Sequence, residues 1–194
     1  MPPNAARRSE RSRRAILTAA LDLVGDVGYA RTSVEGIAAR AGVGKQTIYR
    51  WWPSKGAVLL DAVLALSEDD EGRVETLPDT GDLAADLKVV LRATVTELFD
   101  PRYDVPMRAL ATEILHDPAL HDAWRERIDA PLTEIRLARL RSAQAAGELP
   151  RDLDLALALD LIWGPLFHRW LQGSGPLTPE YADAVVDAAL GGLR

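Results

Sequence analysis

Three residues inside TSVEGIAARAGVGKQTIYRWWPSK, residues 32–55, constrain the fold more than anything else in the chain. Ala38 is followed four positions later by Gly42 and ten positions later by Ile48. Two short helices crossing at close range need this arrangement. The first position faces the second helix and must be small. The turn position must accept a positive φ, where glycine meets no steric cost. The third is an apolar wedge that sets the crossing angle. Thr32 stands three residues before Glu35, the spacing of a capping box, so a helix is expected over Ser33–Arg40. A second helix starts at Gly44 or Lys45 and ends before Pro53, because the residue preceding proline is pushed out of the helical region. Val34 and Ile37 face the preceding long helix.

The rest of the chain also reads as helix, and the fold class expected is all-α, with about nine helices. Alternating β-branched runs and tight hairpin dipeptides between apolar segments are scarce. Ile16, Leu17, Ala20, Leu21, Leu23, Val24 and Val27 share one face of a helix from about Ser9, which Gly28 stops. Ser54 caps the helix after Pro53. The stretch SEDDEGRVETLPDTGD reads as a connection. Further helices are expected over Leu83–Phe99, Val105–Leu115, Ala119–Ala146 with a bend at Pro131, Leu153–Leu171, and from Thr178 with Pro179 in its first turn.

Charge divides the chain in the same place as the motif. The net charge is −6, yet residues 1–55 carry ten Lys and Arg against four Asp and Glu, and the remainder carries 13 against 25. A basic head on an acidic body suits a nucleic-acid-binding module joined to a second function. Two domains are therefore expected: 1–55, an N-terminal arm with the helix-turn-helix, and 56–194, a larger helical domain. The run RRSERSRR ahead of the first apolar face is either an arm that reaches DNA or a frayed basic tail.

The polar residues of the second short helix fit the major groove. Gln46 can read adenine bidentately, Lys45 can reach guanine or a phosphate, and Thr47 offers a hydroxyl or a methyl to thymine. Tyr49, Arg50 and Lys55 are placed for phosphates, which position a protein without reading sequence. Thr32, Ser33 and Trp51 complete the expected DNA-facing set, while Trp52 is expected in the core.

These residues resemble the DNA-binding signature of the tetracycline-repressor-like (TetR/AcrR) regulators. The shared positions are Thr32, Ile37, Ala38, Ala41, Gly42, Val43, Tyr49, Trp51, Trp52 and Lys55. Gly44 stands where that family usually has Ser, and Trp51-Trp52 where Tyr-Phe or His-Phe is commoner. The resemblance implies an inducer pocket and a homodimer built from the C-terminal helices. Its functional expectation is a cytoplasmic, ligand-released repressor that binds a palindromic operator as a dimer. The alternative is a helical module that binds small molecules without sequence-specific DNA recognition.

The apolar content of the C-terminal half supports the dimer. Leu155, Leu157, Leu159, Leu161, Ile162, Trp163, Leu166, Phe167, Trp170 and Leu171 surround one helix, and such a helix must be covered on both sides. The last helix, with Ala182, Val185, Val186, Ala189 and Leu190, is expected to pair with it in a four-helix interface. For the effector, a small molecule, the expected lining is Met107, Leu110, Trp124, Ile128, Trp163 and Phe167. Cysteine is absent, His116, Asp117 and His121 do not share a helical face, and no phosphate loop, nucleophile elbow or HExxH occurs. Neither an enzyme, a metal nor a cofactor is expected, and no apolar run is long enough to cross a membrane.

Overall fold

In the computed structural model, residues 3–67 and 76–193 are described, and they contain helices but no strand. The elements are α1 (Pro3–Val27), a 3-10 turn (Tyr29–Arg31), α2 (Val34–Ala41), α3 (Lys45–Tyr49), α4 (Lys55–Ser67), α5 (Leu83–Leu98), α6 (Pro101–Glu113), α7 (Pro118–Trp124), α8 (Ala130–Ala146), α9 (Leu155–Gln172) and α10 (Pro179–Leu193). They form two compact units, residues 1–73 with 101–126, and 74–100 with 127–194. The acidic half of the expected connection, residues 68–75, lies outside the described residues, as does the Arg8 side chain.

The first unit is organised around the short-helix pair. Ile16, Leu17 and Ala20 of α1 meet Val34, Ile37 and Ala38 of α2, Ile48 of α3, Trp52, and Val58 and Ala62 of α4 in one core. The unit also contains α6 and α7, both of which pack against α4. Compactness thus does not break at residue 55. Sequence periodicity placed α6 from Val105; it starts at Pro101, whose missing N–H is no loss in a first turn.

In the second unit α5 lies against α10, and α9 against α8 and α10. Lys88 and Arg92 of α5 pair with Asp187 and Asp183 of α10, at 2.6 Å and 2.7 Å. A buried ion cluster fixes the entry to α5. Arg139 of α8 donates to Asp86 at 2.9 Å, to the Pro78 carbonyl at 2.9 Å and to Glu148 at 3.4 Å. Asp86 also accepts the Thr80 N–H and hydroxyl, and Glu148 accepts the Leu83 N–H. Burial pushes the Asp86 carboxyl up, but the two Thr80 bonds and Arg139 outweigh it and hold the group below its ordinary value.

The bend expected at Pro131 takes a particular form. Arg125–Asp129 is one turn of π-helix between α7 and α8. Proline at 131 cannot donate to the carbonyl of Arg127, four residues earlier, and its ring crowds that carbonyl, so the preceding turn widens.

The face that α10 turns inward is the one expected at a dimer interface. Ala182, Val185, Val186 and Leu190 are buried within the unit, whereas Ala184, Ala188 and Gly191 look outward. On α9 the inner face is Ala158, Ile162, Trp163, Leu166 and Trp170. Its outer face keeps Leu157, Leu161, Phe167 and Leu171 between 36% and 51% exposed. Phe167, expected in a ligand pocket, thus falls on the outer face. It lies three residues after Gly164 and four before Leu171, on the same side of the helix.

Candidate nucleic-acid interface

The turn between α2 and α3 forms as its spacing requires. Gly42 adopts φ 67°, and its N–H and that of Val43 bond back to the last carbonyls of α2. A side chain there would carry the strain of a left-handed residue. Ile48 is fully buried beneath the pair, in contact range of α1, α2 and α4 through the shared core. Lys45, Gln46, Tyr49 and Arg50 are left on the exposed side of α3, and Thr47 is half-buried.

The cap of α2 differs by one residue from the expected capping box. Ser33 accepts the Gly36 N–H at 3.1 Å. Thr32 is buried, and its hydroxyl donates to the Gly28 carbonyl at 3.0 Å. Both hydroxyls suit an N-terminal position. The choice is made by the 3-10 turn after Gly28, which aims Thr32 back toward α1. A Cβ at Gly36 would stand 3.0 Å from Leu23 and 3.3 Å from the Ser33 hydroxyl, so the close approach of α1 to the cap also depends on glycine.

Lys55 was expected on a phosphate, but its ammonium points inward. It donates to the Tyr29 and Thr32 carbonyls, both at 3.0 Å, and lies 4.2 Å from the Tyr29 ring centroid. The Tyr29 carbonyl also accepts the Thr32 N–H within the 3-10 turn, so the charged donor adds a second bond there as well as one to the Thr32 carbonyl. Thr32 and Lys55 therefore hold the start of α4 to the entry of α2. Trp51 and Trp52 divide as expected: Trp52 is buried and Trp51 half-buried, with rings 5.3 Å apart and tilted by 53°.

Sequence reasoning missed the carboxylate that orders this corner. Asp61 of α4 accepts the Trp52 indole N–H at 2.8 Å and, on the same oxygen, the Arg13 guanidinium at 3.3 Å. One oxygen thereby joins α1, α4 and the segment just past α3. An acid on the otherwise apolar KGAVLLDAVLAL helix was the available signal. Salt bridges Arg40–Asp26 at 2.7 Å and Lys45–Glu35 at 3.7 Å lie on the surface and contribute little to stability.

The six expected ligand-lining residues are divided between the units. Met107, Leu110 and Trp124 belong to the first, with Leu110 fully buried; Ile128, Trp163 and Phe167 belong to the second. Trp163 is buried with its indole N–H unpartnered among the described residues, and the Arg136 guanidinium lies 5.1 Å from its ring centroid. No group of three His, Asp or Glu among the described residues is placed to hold a metal, and no described helix is long and apolar enough to cross a membrane.

Comparison with known proteins covers both units. Residues 16–62 match the family model of bacterial regulatory proteins, tetR family, and residues 77–189 match the tetracyclin repressor-like C-terminal domain. The chain is 33% identical over 188 residues to YdeS of Bacillus subtilis, an uncharacterized HTH-type transcriptional regulator, covering 96% of this chain and 92% of that protein. It is 34% identical over 186 residues to the DNA-binding transcriptional repressor TetR of Mycobacteroides abscessus, with 94% of each covered. Among solved structures, a TetR family transcription regulator superposes with a TM-score of 0.72 at 32% identity, over 94% of this chain and 98% of that one.

Proposed function

The chain belongs to the tetR family of DNA-binding transcriptional regulators, and from that premise we propose that it is a ligand-released repressor which binds a palindromic operator as a homodimer. The observation that carries the reading is the division of labour on α3. Ile48 locks the helix from beneath, while Lys45, Gln46, Tyr49 and Arg50 stand exposed on the side a major groove would meet. We assign base reading to Gln46, Lys45 and Thr47, and phosphate contact to Ser33, Tyr49, Arg50 and Trp51. Thr32 and Lys55 act indirectly, by fixing how α2 and α4 meet. We propose a functional boundary at residue 55, where α4 begins. Repression, rather than activation, is favoured by the similarity to a repressor. A regulator of this kind works in the cytoplasm, where its DNA is.

The dimer reading rests on the outer face of α9. Four large apolar residues on one helix, with the small residues Ala184, Ala188 and Gly191 outward on α10, suit a two-fold contact of two helices from each copy. Two heads so joined would meet successive major grooves about 34–36 Å apart. The effector reading rests on Trp163. A buried indole N–H without an acceptor is costly, and a small molecule bringing an acceptor atom to the second unit would satisfy it. For release, that molecule must prefer the non-binding arrangement by a few kcal/mol.

Selection of genomic fragments by the purified protein identifies the operator, and Gln46→Ala and Tyr49→Ala test its recognition. Losing a bidentate contact at Gln46 costs about 1–3 kcal/mol in each half-site, so the dimer should lose about 2–6 kcal/mol, roughly 30- to 25,000-fold in operator affinity, while weak low-salt binding to random DNA persists. Unchanged operator affinity in both variants would overturn the assignment. Failure of the wild-type protein to select any sequence would leave the chain a small-molecule-binding module.

A further inference from the structure

We propose that the N-terminal turns of α1 are a second DNA-contacting surface, a helical arginine extension that grips phosphates flanking the major-groove site. This rests on the operator reading above and extends it to residues outside the helix-turn-helix.

The basic run that the sequence left between arm and tail is part of a helix. α1 starts at Pro3, whereas the first residue of its buried face is Ile16. Thirteen residues thus precede the core, about 20 Å of helix at 1.5 Å per residue. They include Arg7, Arg11 and Arg14, which recur at i, i+4 and i+7 along one face, and all three are exposed. Arg14 pairs with Glu10 at 3.3 Å, both at the surface. Among the described residues, Arg7 and Arg11 have no ion-pair or hydrogen-bond partner. The Arg7–Arg14 stretch has five arginines, one acid and no apolar residue. Ser9, Ser12 and Arg13, on the other side of the helix, are half-buried, whereas the Arg7, Arg11 and Arg14 face has no packing of its own to explain it, so a reason for it lies outside the domain.

Its position supplies the partner. Arg13 reaches the same Asp61 oxygen as the Trp52 indole, so at this level α1 is two hydrogen-bond lengths from the segment directly following α3. The arginine-bearing turns begin at this level of α1, and Tyr49 and Arg50, just before the Trp51-Trp52 segment, are exposed. The charge of Arg7, Arg11 and Arg14 complements a phosphate backbone. Because phosphates carry no sequence code, these arginines would raise affinity and lengthen the contacted site without changing which bases are read.

The test is a salt titration of operator binding with full-length protein and Arg7→Gln/Arg11→Gln, paired with hydroxyl-radical footprinting. Neither residue contacts the core, so thermal stability and dimerisation should match wild type. Each phosphate contact contributes about 0.9 to the slope of log K against log salt. The double variant should therefore have a slope shallower by about 2 per protomer, or about 4 per dimer, and protection of the flanks should contract. An unchanged slope and footprint would refute the extension while leaving the operator assignment intact. A shallower slope with no change in protected length would also refute it, since that marks a tail that adds only non-specific attraction. If Gln46→Ala leaves operator affinity unchanged, the assignment beneath both readings fails instead.

Discussion

Replacing Leu161 by aspartate should convert the proposed dimer into a folded monomer. Leu161 is 45% exposed and stands between Leu157 and the outward Gly164 on the outer face of α9. Full burial of a leucine side chain contributes roughly 1.5–3 kcal/mol, so covering this remaining half contributes about 0.7–1.4 kcal/mol. A two-fold interface counts each change twice. Leu161→Ala should therefore weaken the dimer by about 1.4–2.8 kcal/mol, or roughly 10- to 100-fold in the dissociation constant. Aspartate adds a carboxylate from each copy to an apolar seam, at several kcal/mol per ion, and should raise the loss beyond about a thousandfold. Sedimentation velocity over a concentration series reads the change directly, and circular dichroism checks that helix content is retained. Operator affinity should fall with the dimer, because a single head meets only one half-site. A variant that sediments as the wild type does would show that α9 is not the seam. A wild-type protein that is monomeric at every concentration would remove the two-fold reading altogether.

Three further outcomes follow from the packing. Removing one partner of the buried Arg139–Asp86 pair, in Arg139→Leu or Asp86→Leu, should cost about 3–5 kcal/mol in urea unfolding, while the double variant should lose less than the two singles together. Single-variant losses below about 1 kcal/mol would contradict the burial argument. Asp86 is held below its ordinary pKa in the folded chain, so its contribution is present above the unfolded value, 3.8, and is lost as pH falls from there through the folded value. Asp86→Asn should accordingly flatten the acid limb of stability below about pH 4; a limb as steep as wild type would exclude Asp86 as its source. At Gly56, a Cβ would lie 2.8 Å from Leu120 and 3.2 Å from the Tyr29 hydroxyl. Gly56→Ala should lower the urea midpoint despite alanine's better helix propensity, by about 0.5–2 kcal/mol after the two effects offset. A midpoint at or above wild type would mean that Leu120 gives way freely.

The parts of this molecule that could be read from sequence are those fixed by near neighbours. Gly42 and Ile48 announce themselves because a tight helical turn leaves few residue types for each position. Trp52 in the core, Ser54 as the cap of α4 and Thr178 as the cap of α10 are equally local. The inward placement of Lys55 is not legible in the sequence because its acceptors lie 23 and 26 residues back, and a lysine beside a basic motif looks like a phosphate ligand until those carbonyls are seen. Thr32 and Ser33 exchanged roles because adjacent hydroxyls have the same capping chemistry and only the chain's entry angle separates them. The inward and outward faces of α10 could not be told apart from composition, since alanine and glycine permit close approach on either side. Arg139 gave no local signal, its partners being brought in from α5 and the loops around it.

The exposed row on α3 also bears on how regulators of this build diversify. Gln46, Tyr49 and Arg50 are exposed, and none of the packing that closes the first unit passes through them. Ile48, Gly42, Thr32 and the Asp61 carboxylate carry that packing instead. Substitutions in the exposed row are consequently close to neutral for folding, so a duplicated copy can drift toward a new operator without first losing its structure. The same separation would let the residues proposed to read bases be exchanged between homologues as a set, with the scaffold beneath unchanged.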